Sequence, residues 1–241
     1  MTAPEPLWEP APTDLVLAGD EVHLWCASLE LSSARLQSLH ELLCADERER
    51  ADRLVLPRSR AAFVGARGLL RSILGLYLDR PPQELRFCYS PQGKPALADQ
   101  ALCFNLSHSQ GLALCAFSRA RPVGIDVERL RPQVAGEQIA RRFFSPREVE
   151  ALQQVDPTRR TEAFFACWTR KEAYLKARGQ GLSLGLHRFA VSLGEPAALL
   201  HSDQGEGECR RWRLCALRPQ PGYVGALCAP AGDWQLRCFH L

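Results

Sequence analysis

A helical stripe over residues 58–78 is stopped by Pro81-Pro82, and three strand-like stretches follow in a row, over 84–89, 101–106 and 112–117, with no helix between them. Strands that cluster instead of alternating with helices argue against a doubly wound parallel sheet and predict an α+β fold with largely antiparallel strands. Within the stripe, Phe63, Ala66, Leu70, Ile73, Leu74 and Tyr77 make one apolar face, while Arg60, Arg67 and Arg71 fall together on another.

Upstream, residues 21–29 alternate like a half-buried strand and 31–43 have helical spacing. Asp46 followed by Glu49 predicts the cap of a short basic helix over 47–54. The polar turn at 118–122 marks a boundary, which divides the chain into an N-terminal α+β lobe, 1–121, and a C-terminal α+β lobe, 122–241. The second half opens with a strand over 123–128. Ser145-Pro146-Arg147-Glu148 is a capping box with proline at the first helical position, and Asp156-Pro157 predicts the start of a longer helix that Gly179 ends. Strands expected over 186–193, 208–217, 223–229 and 234–240 complete this half. The likeness between residues 111–116 and 225–229 hints at duplication.

The formal charge of +3 over 241 residues gives no ground for nucleic-acid binding, and no run of five like charges forms a basic arm. Residues 1–12 lack the basic and apolar regions of a secretory signal, so a cytoplasmic location is expected. No uninterrupted apolar run reaches the roughly 18 residues of a membrane span. The ten cysteines are scattered through apolar or alternating segments with no zinc-type spacing, and read as reduced core residues.

In Gly124-Ile125-Asp126-Val127-Glu128 the strand period puts Ile125 and Val127 on one face and both carboxylates on the other. A solvated strand face would look the same. The helix carrying Trp168, Lys171, Glu172 and Lys176 adds a third carboxylate, with Glu172 and Lys176 one above the other at i,i+4. Three carboxylates converging on one point repel one another unless a cation sits between them, and Mg²⁺ is the hard ion suited to carboxylate, water and phosphate oxygens. Ser107 and His108 at the end of a strand can donate to phosphate oxygens, and Lys94 in a polar turn adds a point charge. Arg48, Arg50, Arg60 and Arg67 are candidates for further phosphate contacts, although solvated helix faces explain them equally well.

Taken together and in order, Gly93-Lys94-Pro95, Phe104-Asn105-Leu106-Ser107-His108-Ser109, Gly124-Ile125-Asp126-Val127-Glu128 and the Trp168 to Lys176 helix resemble the 4′-phosphopantetheinyl transferases of the broad-specificity surfactin-synthetase type. Phe143-Phe144-Ser145 and the stretch 179–182 look like further landmarks of that family. The resemblance implies two similar lobes related by a pseudo-two-fold axis, with coenzyme A in the cleft between them. It implies transfer of the phosphopantetheine arm from coenzyme A to a serine of an acyl or peptidyl carrier protein, with release of adenosine 3′,5′-bisphosphate. Carried over residue by residue, Asp126, Glu128 and Glu172 would bind Mg²⁺; Lys94, Asn105, Ser107, His108 and Lys176 would hold coenzyme A, with Arg50 on the 3′-phosphate. Glu172, Lys176 and His108 would be the catalytic groups, Glu172 as base.

The alternatives at this level are a Mg²⁺-dependent phosphohydrolase or nuclease using the same carboxylates, and a non-catalytic module binding coenzyme A or a carrier. The expected carrier-facing surface is basic, around Arg141-Arg142 and residues 58–71, because such carriers present acidic helices. A monomer without nucleic-acid or membrane partners is expected.

Overall fold

The computed structural model of the protein describes residues 7–179 and 185–241, so residues 180–182 of the last landmark lie outside the described residues. The first half contains β1 (Trp8–Pro10), β2 (Glu21–Ser28), α1 (Ser33–Glu41), α2 (Ala45–Asp52) and α3 (Pro57–Leu78), then β3 (Phe87–Tyr89), β4 (Pro95–Leu97), β5 (Cys103–Ser109) and β6 (Leu112–Ser118). The second half contains β7 (Gly124–Arg129), α4 (Glu137–Phe143), α5 (Pro146–Gln154), α6 (Arg160–Arg178), β8 (Phe189–Val191), β9 (Leu199–Ser202) and α7 (Glu206–Arg211). It closes with β10 (Trp212–Leu217), β11 (Tyr223–Pro230) and β12 (Gln235–His240). The fold is α+β, as the clustering of strands predicts.

Five strands form one sheet in the order β1-β12-β2-β6-β5, and three form a second, β10-β11-β7. Alternation along each strand sorts the side chains into layers. Trp25, Cys115 and Phe117 face Leu70, Ile73 and Leu74 of α3. Leu24, Leu114 and Ala116, from the opposite face of the same sheet, meet Ile125, Val127 and Leu227 of the second sheet. Val224, Ala226 and Cys228 then face Ala173, Tyr174 and Leu175 of α6. The order is thus α3, first sheet, second sheet, α6. α3 is long and apolar enough to pass for a membrane span by length and composition, yet most of its apolar window is buried inside the protein.

Several local expectations are corrected. The last strand does not complete the second half: β12 runs parallel between β1 and β2 in the first sheet. Residues 208–211 end a short helix instead of starting a strand, because Glu208 turns inward to accept hydrogen bonds from Tyr174 and Trp212. Residues 186–188 form a 3₁₀ turn ahead of β8. The cap of α2 is Cys44 with Glu47, not Asp46 with Glu49. Asp156 holds a turn through Thr158, and α6 begins at Arg160. The repeated glycines do different work, since Gly111 (φ 94°) sits in the β5–β6 hairpin whereas Gly225 is inside β11. All ten cysteines are free thiols, and Cys88 is exposed.

Candidate active site

Because Ile125 and Val127 are buried between the sheets, Asp126 and Glu128 face the α6 side of β7. Gly124 lies on that same face and lets the helix come in close: a Cβ there would stand 2.0 Å from the Ala173 carbonyl oxygen. α6 runs uninterrupted to Gly179, whose left-handed backbone (φ 68°) ends it. One turn before that end, Lys176 reaches β7.

Among the described residues the outer edge of β7 has no backbone partner strand; side chains of β5 take that place. Asn105 Oδ1 accepts from the Ile125 amide (2.8 Å), Ser107 Oγ from Val127 (3.4 Å) and Ser109 Oγ from Arg129 (3.3 Å). The edge carbonyls go to lysines. Lys94 Nζ donates to Val123 O (3.0 Å) and to Lys176 O (2.5 Å). Lys176 Nζ donates to Ile125 O (3.1 Å), Ser107 Oγ (3.1 Å) and Asp126 Oδ1 (2.7 Å). Asn105, Ser107, Lys94 and Lys176, which join the two sheets here, are residues expected to hold coenzyme A; Ser109, which joins them too, is not.

Ser107 Oγ donates to Asp126 Oδ1 (2.8 Å) and Ser109 Oγ to Glu128 Oε2 (2.7 Å). Asp126 Oδ2 is buried with no hydrogen-bond partner among the described residues. Burial raises the pKa of Glu172, and the charges of Asp126 and Glu128 raise it further. Burial likewise raises Glu128, with Asp126 adding to the shift and the Ser109 hydrogen bond opposing it. The three carboxylates thus feel one another, but among the described residues no group of three is gathered closely enough to make a ready-built metal cage. Mg²⁺ needs only one or two carboxylates beside waters and phosphate oxygens, so this hard-oxygen set with one unpartnered carboxylate oxygen fits it in donor chemistry.

An open cleft of about 500 Å³ lies along this seam, lined by Lys94, Asn105, Leu106, Glu172, Lys176 and neighbouring residues. Burial lowers the Lys94 pKa to about 8. His108, exposed on the opposite face of β5 from the serines, has its pKa lowered by partial desolvation from the surrounding protein and then by the Lys176 charge. A neutral imidazole at pH 7 offers phosphate an N–H instead of a full charge.

Arg50 is not brought into the cleft: it stands exposed on α2 with its guanidinium 5.3 Å from the Phe63 ring. Arg67 is not a surface group: it and Arg71 are buried around Glu47 (3.0 and 2.6 Å). Sequence reasoning assigned no role to Ser109 or Arg131, the two groups that hold Glu128, or to the Glu148–Lys171 pair (2.6 Å), which ties α5 to α6 in the core. The period-two row Asn105, Ser107, Ser109 was a readable signal of a polar strand face. Nothing in the sequence marked Lys171 as buried while Lys176 is not.

Glu172, Lys94 and Lys176 line the cleft, and Asp126, Glu128, Ser107 and Ser109 lie beside it along the β5–β7 seam, an arrangement whose chemistry suits phosphate groups. A family model described as the 4′-phosphopantetheinyl transferase superfamily matches residues 122–228. Over 238 residues the chain is 42% identical to the 4′-phosphopantetheinyl transferase HetI of Nostoc sp., covering 97% of this chain and 98% of the relative. It is 37% identical over 176 residues to a putative 4′-phosphopantetheinyl transferase of Synechocystis sp. (72% and 71% covered), and 33% identical over 168 residues to the 4′-phosphopantetheinyl transferase Sfp of Bacillus subtilis (69% and 72% covered). The chain belongs to the 4′-phosphopantetheinyl transferase superfamily.

Proposed function

We propose that the protein transfers the 4′-phosphopantetheine group of coenzyme A to a serine of an acyl or peptidyl carrier protein and releases adenosine 3′,5′-bisphosphate. The observation that carries this reading is the convergence of Lys94, Lys176, Asp126 and Glu172 at one seam of a chain from this family. The relatives are named as transferases, which favours a carrier hydroxyl over water as nucleophile and leaves the hydrolase and non-catalytic readings without support.

The carrier serine oxygen bonds to the β-phosphorus, the bond from that phosphorus to the bisphosphate oxygen breaks, and the serine proton must leave. Glu172 is our choice of acceptor, since burial and then the Asp126 and Glu128 charges, opposed by Lys176, make it a stronger base than an ordinary glutamate. Lys94 and Lys176, with Asn105, Ser107 and His108, hold the donor phosphates and offset the charge on the departing bisphosphate. Asp126, Glu128 and Glu172 are the residues that would hold Mg²⁺, which when bound supplies charge neutralisation at the pyrophosphate. Arg141 and Arg142 are exposed, as are Arg58 and Arg60, and offer acidic carrier helices a basic surface.

The test is mass spectrometry of an apo carrier incubated with the protein, coenzyme A and Mg²⁺. A carrier heavier by one phosphopantetheine group, with stoichiometric bisphosphate release, is expected. Consumption of coenzyme A with unmodified carriers would overturn the assignment.

A further inference from the structure

Two serines on one face of β5 repeat the same pattern against two carboxylates of β7. Ser107 Oγ accepts from the Val127 amide and donates to Asp126 Oδ1. Ser109 Oγ accepts from the Arg129 amide (3.3 Å) and donates to Glu128 Oε2 (2.7 Å). With its lone pair tied to the strand edge, the Ser109 hydroxyl has a fixed direction for its proton, and that direction is the Glu128 carboxylate. Arg131 Nη2 reaches the same oxygen, Oε2, at 3.2 Å. Its guanidinium stands 5.8 Å from the Phe165 ring, which limits where it can go. Each carboxylate is thus gripped by one oxygen: Asp126 through Oδ1 by Ser107 and Lys176, Glu128 through Oε2 by Ser109 and Arg131. In Asp126 the other oxygen is buried and, among the described residues, unpartnered.

We propose that Ser109 and Arg131 clamp Oε2 of Glu128 so that Oε1 is presented to the divalent cation, which makes Ser109 a positioning residue of the metal site. This rests on the reading of Asp126, Glu128 and Glu172 as metal-holding residues. Glu is a longer and freer side chain than Asp, so a glutamate ligand at this strand position needs an outside group to select one rotamer. A merely structural serine would serve the Arg129 amide and leave metal binding unchanged.

The experiment uses Mn²⁺ as the probe, with free ion followed by electron paramagnetic resonance on the full-length protein in the presence of coenzyme A. Ser109→Ala is expected to weaken Mn²⁺ binding about 10-fold, the scale seen when groups orienting a metal ligand are removed. Ser109→Thr, which keeps the hydroxyl, should stay near the parent affinity. In a Glu128→Gln background, Ser109→Ala should cost nothing further. If Ser109→Ala does not fold, Ser109→Cys keeps the volume with a weak donor and carries the same expectation. The clamp is overturned if Glu128→Gln weakens Mn²⁺ while Ser109→Ala does not, or if Ser109→Ala weakens it equally in both backgrounds. Parent-like Mn²⁺ binding by both Asp126→Asn and Glu128→Gln would instead remove the metal-site reading itself, and the clamp with it.

Discussion

Gly124 on β7 and Ala173 on α6 approach so closely that a Cβ on the glycine would stand 2.0 Å from the alanine's carbonyl oxygen and 2.2 Å from the Ala177 amide nitrogen. Both obstacles are backbone atoms, so no side-chain rotation relieves the clash. Gly124→Ala must push α6 off β7, and the helix carries Glu172 and Lys176 with it. Overpacking of this kind costs about 1–3 kcal/mol or more, and a displacement near 1 Å of reacting groups can cost about 100-fold in rate. Thermal unfolding and carrier-modification kinetics should therefore both change, with the loss of rate exceeding what the lost folded fraction explains. Parent-like kinetics would show that the close approach is not what sets the site.

Two lysines five residues apart on α6 should respond in opposite ways. Lys171 is fully buried, with Nζ 2.6 Å from both Glu148 oxygens and from the Phe189 carbonyl. Lys171→Met leaves a buried carboxylate uncompensated, a loss of about 3–5 kcal/mol, and should lower the unfolding midpoint. Lys176, whose side chain is 28% exposed, sits in the cleft. Lys176→Met also takes the ion pair from Asp126 (2.7 Å), but beside an open cleft that admits water the midpoint should fall less than in Lys171→Met, while kcat/KM for coenzyme A falls. Equal destabilisation by the two substitutions would contradict this division.

The contrast also shows what could be read from the sequence. The strand pair Asp126/Glu128 and the helix residues Glu172 and Lys176 were legible because periods of two and 3.6 decide which side chains share a face. The α+β class followed from strand clustering for a similar reason. Periodicity within an element is silent about partners far along the chain, so neither the insertion of β12 between β1 and β2 nor the burial of Arg67 and Arg71 around Glu47 was visible. Residues 208–211 read as strand because Glu208, Cys209 and the arginines give no helical stripe, and only the buried bonds to Tyr174 and Trp212 reveal what fixes that turn.

Stability should depend on pH through His23. It is fully buried, bonded at Nδ1 to Tyr77 Oη (2.8 Å) and at Nε2 to Glu21 Oε2 (3.0 Å). Trp25 Nε1 also donates to Tyr77 Oη, so the tyrosine proton goes to Nδ1 and the neutral Nε2–H tautomer satisfies every partner. Burial lowers the His23 pKa, with Arg237 adding to the shift and Glu21 opposing it. The unfolded chain therefore takes up a proton below about pH 6.5 that the folded protein refuses, and stability falls as pH drops through that range. Denaturant titrations should show this slope, and His23→Gln should flatten it.

Coenzyme A binding should weaken on the alkaline side for a separate reason. The pKa of Lys94 is lowered to about 8, chiefly by burial, so the free protein loses this ammonium as pH rises through that value. An anionic donor favours the protonated form, and binding must then take up a proton, which becomes harder as pH increases. The KM for coenzyme A is expected to rise above about pH 8 in the parent and to be higher but less pH-dependent in Lys94→Met. An unchanged alkaline slope in that variant would assign the effect to another group.

Glu172→Gln separates binding from proton transfer. Glutamine keeps the volume and one oxygen acceptor at the cleft wall but cannot take a proton near neutral pH. The Glu172 carboxyl is made more basic by burial and by Asp126 and Glu128, so the substitution also removes one of the mutually repelling charges. Measured without Mg²⁺, coenzyme A, itself an anion, should bind at least as well to the variant, whereas transfer with Mg²⁺ present should fall by about 100-fold or more. Calorimetric titration with coenzyme A, paired with single-turnover carrier modification, reads the two quantities apart. Near-normal transfer in this variant would move the acceptor role to a water or to His108 and leave Glu172 only its place beside Asp126.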